Sequence, residues 1–203
     1  MQNVIYAMSV SLVGFIEATN GDISWSDPDE ELHKHFNELE SAIDIHLYGR
    51  RLCENMVANR PTADENPLAP EYEKEYARLW KTMPQIVFSR TLDRAGWNAR
   101  LVSGNIAEEV NRMKRQLGKY MSVSGAGIAS SFMQLGLIDE YWLFLHPIIL
   151  GGGKSMFRHL RDKINLQLVE TRKFGRGVVL LRTCSRPSDN DRQAAQQASQ
   201  SLT

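Results

Sequence analysis

The sequence predicts an α/β fold: a single three-layer domain with a mostly parallel twisted sheet, helices on both faces and an antiparallel C-terminal hairpin. Strand-like apolar runs alternate with helix-like segments along most of the 203 residues, as in parallel sheets. Glycine directly follows several of these runs, which is typical of strand-to-helix turns. The last two strand-like runs, at residues 165–170 and 178–183, flank a short turn with two glycines, which indicates a hairpin.

The first half of the chain supplies three strands and three helices by pattern. An apolar run at residues 4–10 predicts a buried strand, and residues 17–25, rich in Asn, Gly, Asp and Ser, predict an irregular loop. Asp27-Pro28 predicts the start of a helix, because proline suits a first helical turn and the acidic residues that follow complement the helix dipole. Further strands are predicted at residues 42–48 and 85–89, and further helices at residues 52–57 and 71–83.

The second half continues the alternation. Asn105 predicts the N-cap of a helix that Gly118 closes, with Glu108 at the capping-box position. A short helix is predicted at residues 155–160. Strands are predicted at residues 101–103, 120–124 and 139–146, and a further helix opens directly after the glycines at 125 and 127.

Composition argues against several classes of function. Lys plus Arg equals Asp plus Glu at 24 each, so the net charge is zero and no basic surface points to nucleic acid or a membrane. The two cysteines are far apart in sequence and predict reduced thiols in a cytoplasmic protein. The N-terminus has no cationic segment before its apolar run, so no signal peptide is expected.

The chain is predicted to divide into one domain and a tail. Residues 1–185 carry all the predicted strands and helices, whereas residues 186–203 consist mainly of Ser, Gln, Asp, Asn, Arg and Ala. Such a polar segment lacks the apolar side chains needed to form a core, and we expect it to be disordered.

Glycines after three predicted strands suggest a ligand site. They are Gly49, the pair Gly125 and Gly127, and residues 151–153. The carboxyl ends of parallel strands meet at one edge of the sheet, where ligands bind in such folds. A helix opening directly after Gly125 would present free N–H groups and a positive dipole end to a phosphate. Taken alone, this pattern fits a phosphate cradle and a tight strand-to-helix turn equally well.

Seven short motifs follow one another along residues 3–183, and their order and spacing are more specific than any one of them. They are Ser9-Val-Ser-Leu-Val-Gly-Phe-Ile16, Gly21-Asp-Ile-Ser-Trp25, Leu47-Tyr-Gly-Arg-Arg51, Val87-Phe-Ser-Arg-Thr-Leu92, Val123-Ser-Gly-Ala-Gly127, Gly136-Leu-Ile-Asp-Glu-Tyr141 and Pro147-Ile-Ile-Leu-Gly-Gly-Gly153. In this order they resemble the dihydrofolate-reductase-like superfamily. The branch that they resemble more closely contains the stand-alone proteins related to the pyrimidine reductase domain of riboflavin biosynthesis, the RibD C-terminal domain.

The resemblance implies hydride transfer from NADPH to a small heterocyclic, pyrimidine- or pterin-like, or sugar-linked substrate. It implies cofactor contacts near the adenosine phosphates, the 2′-phosphate, the pyrophosphate and the nicotinamide, made by Ala7, Gly49, Arg50, Arg51, Ser89, Arg90, Gly125, Ala126, Gly127 and Ile128. Among these, Ser89 and Arg90 would hold the 2′-phosphate, for which a guanidinium group is suited. Ser9 and Trp25 would contact the substrate.

The catalytic residues implied by the resemblance are Asp22, which borders the substrate, and an acid on the first helix, for which Glu31 and its neighbour Glu30 are the candidates. From the residues alone, both glutamates are better explained as acidic residues that complement the dipole at a helix start than as catalysts. The relatives generally pair as homodimers. The five histidines show no metal-binding spacing, so no metal is expected.

Two departures from the pattern keep a second function open. Val13 stands where relatives often carry Asp, and Leu52 stands where they often carry Thr. The first change removes a carboxylate near the implied substrate loop, and the second removes a hydroxyl near the implied phosphates. The alternative is therefore a non-catalytic protein that binds a nucleotide or another small molecule and kept the fold. Reduction of folate itself is a third possibility.

Overall fold

The computed structural model describes residues 1–58, 62–96 and 99–186. Its strands are β1 Asn3–Ser11, β2 Phe15–Ala18, β3 Ile43–Gly49, β4 Gln85–Phe88, β5 Ala99–Val102, β6 Tyr120–Ser124, β7 Glu140–His146, β8 Gly153–Ser155, β9 Leu166–Lys173 and β10 Val179–Ser185. Its α-helices are α1 Glu30–Ala42, α2 Arg50–Ala58, α3 Glu71–Thr82, α4 Ile106–Lys114 and α5 Ala126–Gln134. Short 3-10 turns occur at Ser24–Ser26, Ala63–Glu65 and Gly175–Gly177.

Eight strands form one sheet in the order β5-β4-β3-β6-β1-β7-β10-β9. The pairs from β5 to β7 are all parallel, and β10 pairs antiparallel with both β7 and β9. A separate small sheet pairs β2 with β8. The carboxyl ends of β3, β6, β1 and β7 therefore lie side by side, and β1 stands near the centre of the sheet.

Helices cover both faces of the sheet, so the domain has three layers. On one face, Leu32 and Leu39 of α1 pack with Ile5 and Phe144 of the sheet. On the other face, buried side chains of α4 and α5 pack on Tyr6 and its neighbours. Because β1 lies between β6 and β7, its side chains alternate between the two cores, which explains why nearly the whole strand is apolar.

The α/β class, the parallel central strands and the C-terminal hairpin are confirmed. Asn105 caps α4 as predicted, because its side chain accepts hydrogen bonds from the N–H groups of Ala107 and Glu108. The first helix begins later than expected. Asp29 is its N-cap, accepting from the Leu32 N–H, so Asp27-Pro28 precedes the helix by a short distance.

The short helix predicted at residues 155–160 is wrong. This segment instead follows β8, which pairs with β2. A Cβ on Gly153 would lie 2.0 Å from the Glu17 carbonyl oxygen, and its φ of +157° also suits glycine. Close backbone pairing with β2 therefore explains the conformation that the helical pattern could not predict. The loop predicted at 17–25 likewise begins later than expected, because β2 extends to Ala18.

Residues 187–203, the greater part of the predicted polar tail, lie outside the described residues. The last described residue is Arg186, whose N–H donates to the Asn165 carbonyl and so joins the end of β10 to the start of β9. Within the described ranges, no helix is long and apolar enough to cross a membrane.

Candidate functional site

A cavity of about 570 Å³ lies at the carboxyl ends of β3 and β6, where α2 and α5 begin. We call it the basic cavity. Its walls are the turns at residues 49–52 and 125–128, together with Glu54, Asn55, Lys154 and Arg158. Every predicted cofactor residue of these two turns therefore lines one space.

The start of α5 presents unpaired backbone N–H groups to the basic cavity. The first hydrogen bond of the helix runs from the Ala129 N–H to the Gly125 carbonyl, at 3.0 Å. The N–H groups of Ala126, Gly127 and Ile128 thus have no partner inside the helix. No acidic side chain stands in the first turn, and the N-cap is a glycine that offers no side-chain cap. Such a helix start attracts an anion.

The glycines of both turns have structural reasons to be there. Gly125 has φ +97°, a conformation in which a side chain is strained. A Cβ on Gly49 would lie 3.3 Å from the Ile128 Cβ, so the two turns pack against each other. Gly127 differs from both, because a Cβ there would have no atom within 4 Å. Its absent side chain leaves open space at the cavity wall.

Four cationic side chains and one carboxylate line the basic cavity. Arg50 is held in place, because its Nε contacts Glu54 Oε1 at 2.8 Å and its Nη1 donates to Thr91 Oγ1 at 3.0 Å. Lys154 pairs with Glu17 at 2.7 Å. Among the described residues, Arg51 and Arg158 have no ion-pair partner. The cavity therefore has a surplus of positive charge.

Lys154 and Arg158 are cavity residues that the sequence reasoning missed. Both lie in the segment that contains β8, which is held by the pairing of β8 with β2 and by the Ser130 hydroxyl of α5, which donates to the Arg158 carbonyl. Lys154 directly follows the glycines 151–153, which were recognised as a strand-end signal, so its position offered a clue. Arg158 offered none, because it falls within the segment wrongly predicted as a helix.

Ser89 and Arg90 line a separate cavity of about 590 Å³ beyond the end of β4. The Ser89 hydroxyl already accepts hydrogen bonds from the N–H groups of Thr91 and Leu92, both at 3.2 Å. The Arg90 side chain is exposed. Arg50, which lines the basic cavity, donates to the hydroxyl of Thr91, the residue after Arg90.

A third space of about 410 Å³ lies over β1, on the face that α1 covers. We call it the first-strand cavity. Ala7 and Ser9 line it from β1, and Ser122 and Ser124 line it from β6. Ser124 is the residue before Gly125, so one strand end contributes to both this cavity and the basic cavity.

The walls of the first-strand cavity are apolar on most sides and acidic at two points. Phe36, Leu39, Ile43 and Phe144 supply aromatic and aliphatic surface, and the segment 23–28 borders the opening. The carboxylates that line it are those of Asp27 and Glu40. Burial, followed by the nearby Glu40 carboxylate, raises the pKa of the lining residue Tyr76 well above its usual range.

The structure does not bring the two predicted catalytic acids into this cavity. Glu31 Oε2 accepts the Gly175 N–H at 2.9 Å, so its side chain is directed to the turn between β9 and β10. Asp22 is fully exposed, and its Oδ1 accepts the Ser24 N–H at 2.9 Å. That hydrogen bond lowers the pKa of Asp22. Both carboxylates therefore accept hydrogen bonds from backbone N–H groups outside this cavity, and their catalytic roles stay predictions.

Trp25 lies beside the opening of the first-strand cavity without lining it. Its indole packs edge-on against His146, with ring centroids 5.5 Å apart, and both residues line a small cavity that also includes Asp27 and Arg176. Burial, followed by the charge of Arg176, lowers the pKa of His146. The segment 23–28 thus lies between two cavities and contacts the end of β7 through this ring pair.

The two departures from the sequence pattern fall in different places. Leu52 lines the basic cavity and packs against Gly125, where a Cβ would lie 3.5 Å from the Leu52 Cβ. Val13 is about half exposed on the turn after β1, with 51% of its surface accessible.

Across the described residues, no group of three or more His, Cys, Asp or Glu side chains is arranged to hold a metal ion.

The fold and these cavities define an α/β protein with a cationic cavity at the carboxyl ends of its parallel strands. The family model of the RibD C-terminal domain matches residues 2–180, and the chain belongs to this family. The uncharacterized protein YyaP of Bacillus subtilis is 36% identical over 179 residues, which cover 88% of this chain and 92% of YyaP.

Solved structures support the same fold. A putative riboflavin biosynthesis protein from Shewanella sp. PV-4 has a TM-score of 0.74 at 19% identity, covering 92% of this chain and all of that one. A deaminase/5-amino-6-(5-phosphoribosylamino)uracil reductase from Thermotoga maritima has a TM-score of 0.62 at 15% identity, covering 91% of this chain and 57% of that one. Dihydrofolate reductase from Enterococcus faecalis, solved with NADP(H), has a TM-score of 0.58 at 12% identity, covering 91% and 97%.

Proposed function

We propose that this protein is an NADPH-dependent oxidoreductase that transfers a hydride to a small heterocyclic, pyrimidine- or pterin-like, or sugar-linked substrate. One observation carries the proposal. Ser124 and Gly125, consecutive residues at the end of β6, line the first-strand cavity and the basic cavity respectively. A ligand with phosphates at one end and a ring at the other fits this pair of spaces, which lie where ligands bind in such sheets.

The residues of the basic cavity suit the phosphates of a dinucleotide. The N–H groups of Ala126, Gly127 and Ile128 would bind the pyrophosphate, and the open space at Gly127 would admit it. Arg50 and Arg51 would add cationic contacts from α2. Ser89 and Arg90 line the cavity beyond the end of β4, which lies further from β1 than β3 and β6 do. There they would contact the 2′-phosphate of NADPH. The complex of the Enterococcus faecalis relative with NADP(H) is consistent with this assignment.

The first-strand cavity would hold the reacting ring and the substrate. When bound, the cofactor supplies the hydride, and the protein supplies position and a dry environment. Ala7 and Ser9 would form the floor beneath the rings, and Phe36 and Phe144 would exclude water at the sides. The segment 23–28, which includes Trp25, would border the substrate at the opening.

The proposal includes a homodimer acting in the cytoplasm. β9 is an edge strand of the sheet, and its Leu168 and Val169 expose 56% and 51% of their surface. An unpaired edge strand with exposed apolar side chains is a surface that a second copy would cover. Light scattering of the purified chain would give a mass twice that of the monomer, and a monomeric mass at high concentration would contradict the dimer.

Cofactor titration followed by turnover tests the main proposal. NADPH and NADH would each be titrated by fluorescence, and NADPH oxidation would then be followed with a panel of pyrimidine, pterin and carbonyl compounds. We expect NADPH to bind more tightly than NADH and at least one compound to be reduced. Absence of NADPH binding would contradict the proposal. Tight NADPH binding with no turnover on any compound would support the non-catalytic alternative instead.

A further inference from the structure

The floor of the first-strand cavity consists of small side chains. Ala7 and Ser9 line it from β1, and Ser122 and Ser124 line it from the neighbouring strand β6. We call these four residues the serine floor. Ser124 stands at the end next to the basic cavity, because Gly125 follows it. Small side chains leave room for a molecule to lie close to the sheet, and the serines among them offer hydroxyl groups to it.

Larger rings flank the serine floor on both sides. On the β3 side, the register partners of the two β6 serines are His46 and Tyr48. On the β7 side, the register partners of the two β1 residues are Trp142 and Phe144. Neighbouring strands lie about 4.8 Å apart, so the floor between these rings is wide enough for one flat ring.

The alternation of β6 shows the face of the sheet to which its serines point. Met121 and Val123 lie in the core cluster formed with α4 and α5. Tyr120 packs with the other cluster, which contains the buried leucines of α1. Because successive side chains of a strand point to opposite faces, Ser122 and Ser124 share the face of Tyr120. They therefore point to the α1 side, where the first-strand cavity lies.

The hydroxyl of Ser122 has no hydrogen-bond partner among the described residues. Three serines of this part of the chain are buried, and the other two are paired. Ser11 Oγ accepts the Phe15 N–H at 3.1 Å, and Ser130 Oγ donates to the Arg158 carbonyl at 2.7 Å. Ser122 is only 5% exposed and makes no such contact. A buried hydroxyl without a partner is costly, so this one has unused capacity to bind a molecule in the cavity.

The charges around the serine floor limit what that molecule can be. Among the described residues, no lysine or arginine lines the first-strand cavity, whereas the carboxylates of Asp27 and Glu40 do. An anionic ring would therefore be repelled without a cation to compensate it. The donors that the floor provides are neutral hydroxyls, and the groups that accept from neutral hydroxyls are uncharged oxygens such as carbonyls.

We propose that Ser122 and Ser124 donate hydrogen bonds to carbonyl oxygens on one edge of an uncharged planar ring. The ring would lie on the serine floor between the flanking side chains, with its faces against apolar surface. A ring without such oxygens would leave the Ser122 hydroxyl unsatisfied, and leaving a buried polar group unpaired is what a site discriminates against most strongly. The two serines are thus specificity-determining residues for the substrate.

This inference rests on the proposed function, since the ring would be the substrate that receives the hydride. It can be tested without any cofactor, so the two proposals can fail separately. NADPH that does not bind the wild type would count against the proposed function only. Ring recognition that ignores the two serines would count against the present inference only.

N,N′-dimethyluracil and meta-xylene form a matched pair of probes. Each is a planar six-membered ring with two methyl groups in the same relation, but N,N′-dimethyluracil adds two carbonyl oxygens. It has no N–H group, so the carboxylates of the cavity cannot accept from it. Ligand-observed NMR titrations of the full chain would measure both affinities. We expect N,N′-dimethyluracil to bind the wild type, and no measurable binding would overturn the inference.

Two variants of equal shape isolate the hydroxyl of Ser124. Valine and threonine differ in that only threonine carries a hydroxyl, and both suit a strand. Ser124→Val should bind N,N′-dimethyluracil about fivefold more weakly than Ser124→Thr does. The two variants should bind meta-xylene within about twofold of each other. Equal affinities of both variants for N,N′-dimethyluracil would contradict the inference.

A variant of Ser122 separates ligand binding from a structural role. Ser122→Ala should weaken N,N′-dimethyluracil about fivefold, while the melting temperature stays the same or rises because an unsatisfied hydroxyl is removed. Ser130→Ala is the control, because its loss leaves the Arg158 carbonyl without a donor. It should lower the melting temperature and leave the N,N′-dimethyluracil affinity unchanged. A Ser122→Ala protein that loses stability and keeps its affinity would overturn the inference.

Discussion

The basic cavity and the first-strand cavity share the end of β6 but are built by different means. The basic cavity is formed largely by backbone, with unpaired N–H groups at the start of α5 and glycines that keep the wall open. The first-strand cavity is formed by residues from four strands, two helices and a loop. A backbone site recognises a chemical group common to many ligands, whereas a side-chain site can distinguish one ligand from another.

The two cavities also differ in charge: the basic cavity is mainly cationic, and the first-strand cavity carries carboxylates. Arg50, Arg51, Lys154 and Arg158 give the basic cavity a positive surplus over Glu54. The charged groups that line the first-strand cavity are the carboxylates of Asp27 and Glu40, beside the titratable His33. A single ligand that spans both would carry its anionic groups in the basic cavity and a ring without negative charge in the first-strand cavity. Each prediction below changes residues in or near one cavity and measures cofactor affinity or the stability of the fold.

The largest effect is expected from filling the open wall of the basic cavity. Gly127→Val adds a side chain where no atom lies within 4 Å, so the fold should be retained while NADPH affinity falls by about tenfold or more. Gly125→Ala provides the contrast, because strain at φ +97° should lower the stability by about 1 kcal/mol or more. Melting curves and NADPH titrations of both variants measure this. Unchanged NADPH binding in Gly127→Val would mean that the cavity does not hold the phosphates.

The next effect concerns the choice between two cofactors. Arg50→Ala combined with Arg90→Ala removes the guanidinium groups on either side of Thr91, one held by it and one exposed. NADPH should weaken by about tenfold and NADH by only about twofold, since Arg90 would contact the 2′-phosphate that only NADPH carries, whereas Arg50 would contact phosphates that both cofactors share. Fluorescence titrations of both cofactors give the ratio. An equal loss for NADPH and NADH contradicts the assignment of the 2′-phosphate.

A smaller effect is expected at Arg158, one of the two cavity residues that sequence reasoning missed. Arg158 lines the basic cavity without an ion-pair partner among the described residues, so Arg158→Ala should weaken NADPH and NADH alike by about threefold to tenfold, and less at high salt. Arg161→Ala is the matched control, because Arg161 is an exposed residue of the same segment that does not line the cavity. If both variants behave alike, the effect is one of overall charge and not of this cavity.

The smallest effect is a pH dependence of the stability, which is expected to arise from His146 at the end of β7. Burial and Arg176 hold the pKa of His146 below its usual 6.5, so the folded state favours the neutral imidazole. The unfolded chain then binds the proton more readily, and His146 lowers the stability as the pH falls below about 6.5. The melting temperature should drop less between about pH 7.5 and about pH 5.5 in His146→Gln than in the wild type. An identical drop in both proteins would show that His146 is not responsible.

Sequence reasoning succeeded where backbone chemistry dictates the structure. The glycine at 125 is required by its φ angle, and the close approach at Gly49 is required by Ile128, so the basic cavity left a local signal in the sequence. The alternation of strands and helices likewise fixed the fold class. The φ angle of Gly125 and the alternation of strands and helices depend on neighbours in sequence, which a pattern can record, whereas the contact of Gly49 with Ile128 joins distant positions.

A sequence pattern does not show where distant segments meet. Glu31 is a candidate because it lies near the start of α1, and its carboxylate accepts the N–H of Gly175, 144 residues away in sequence. Glu40, on the same helix, lines the first-strand cavity. Which turn of a helix faces a cavity depends on the angle of packing, and neither composition nor spacing specifies that angle.

We propose that one NADPH molecule occupies both cavities at once, and a crystal structure of the complex with NADPH tests this most directly. We expect the pyrophosphate on the N–H groups of Ala126, Gly127 and Ile128, with the nicotinamide beside Ala7 and Ser9 in the first-strand cavity. A cofactor bound away from the end of β6, or one whose ring lies outside the first-strand cavity, would contradict it.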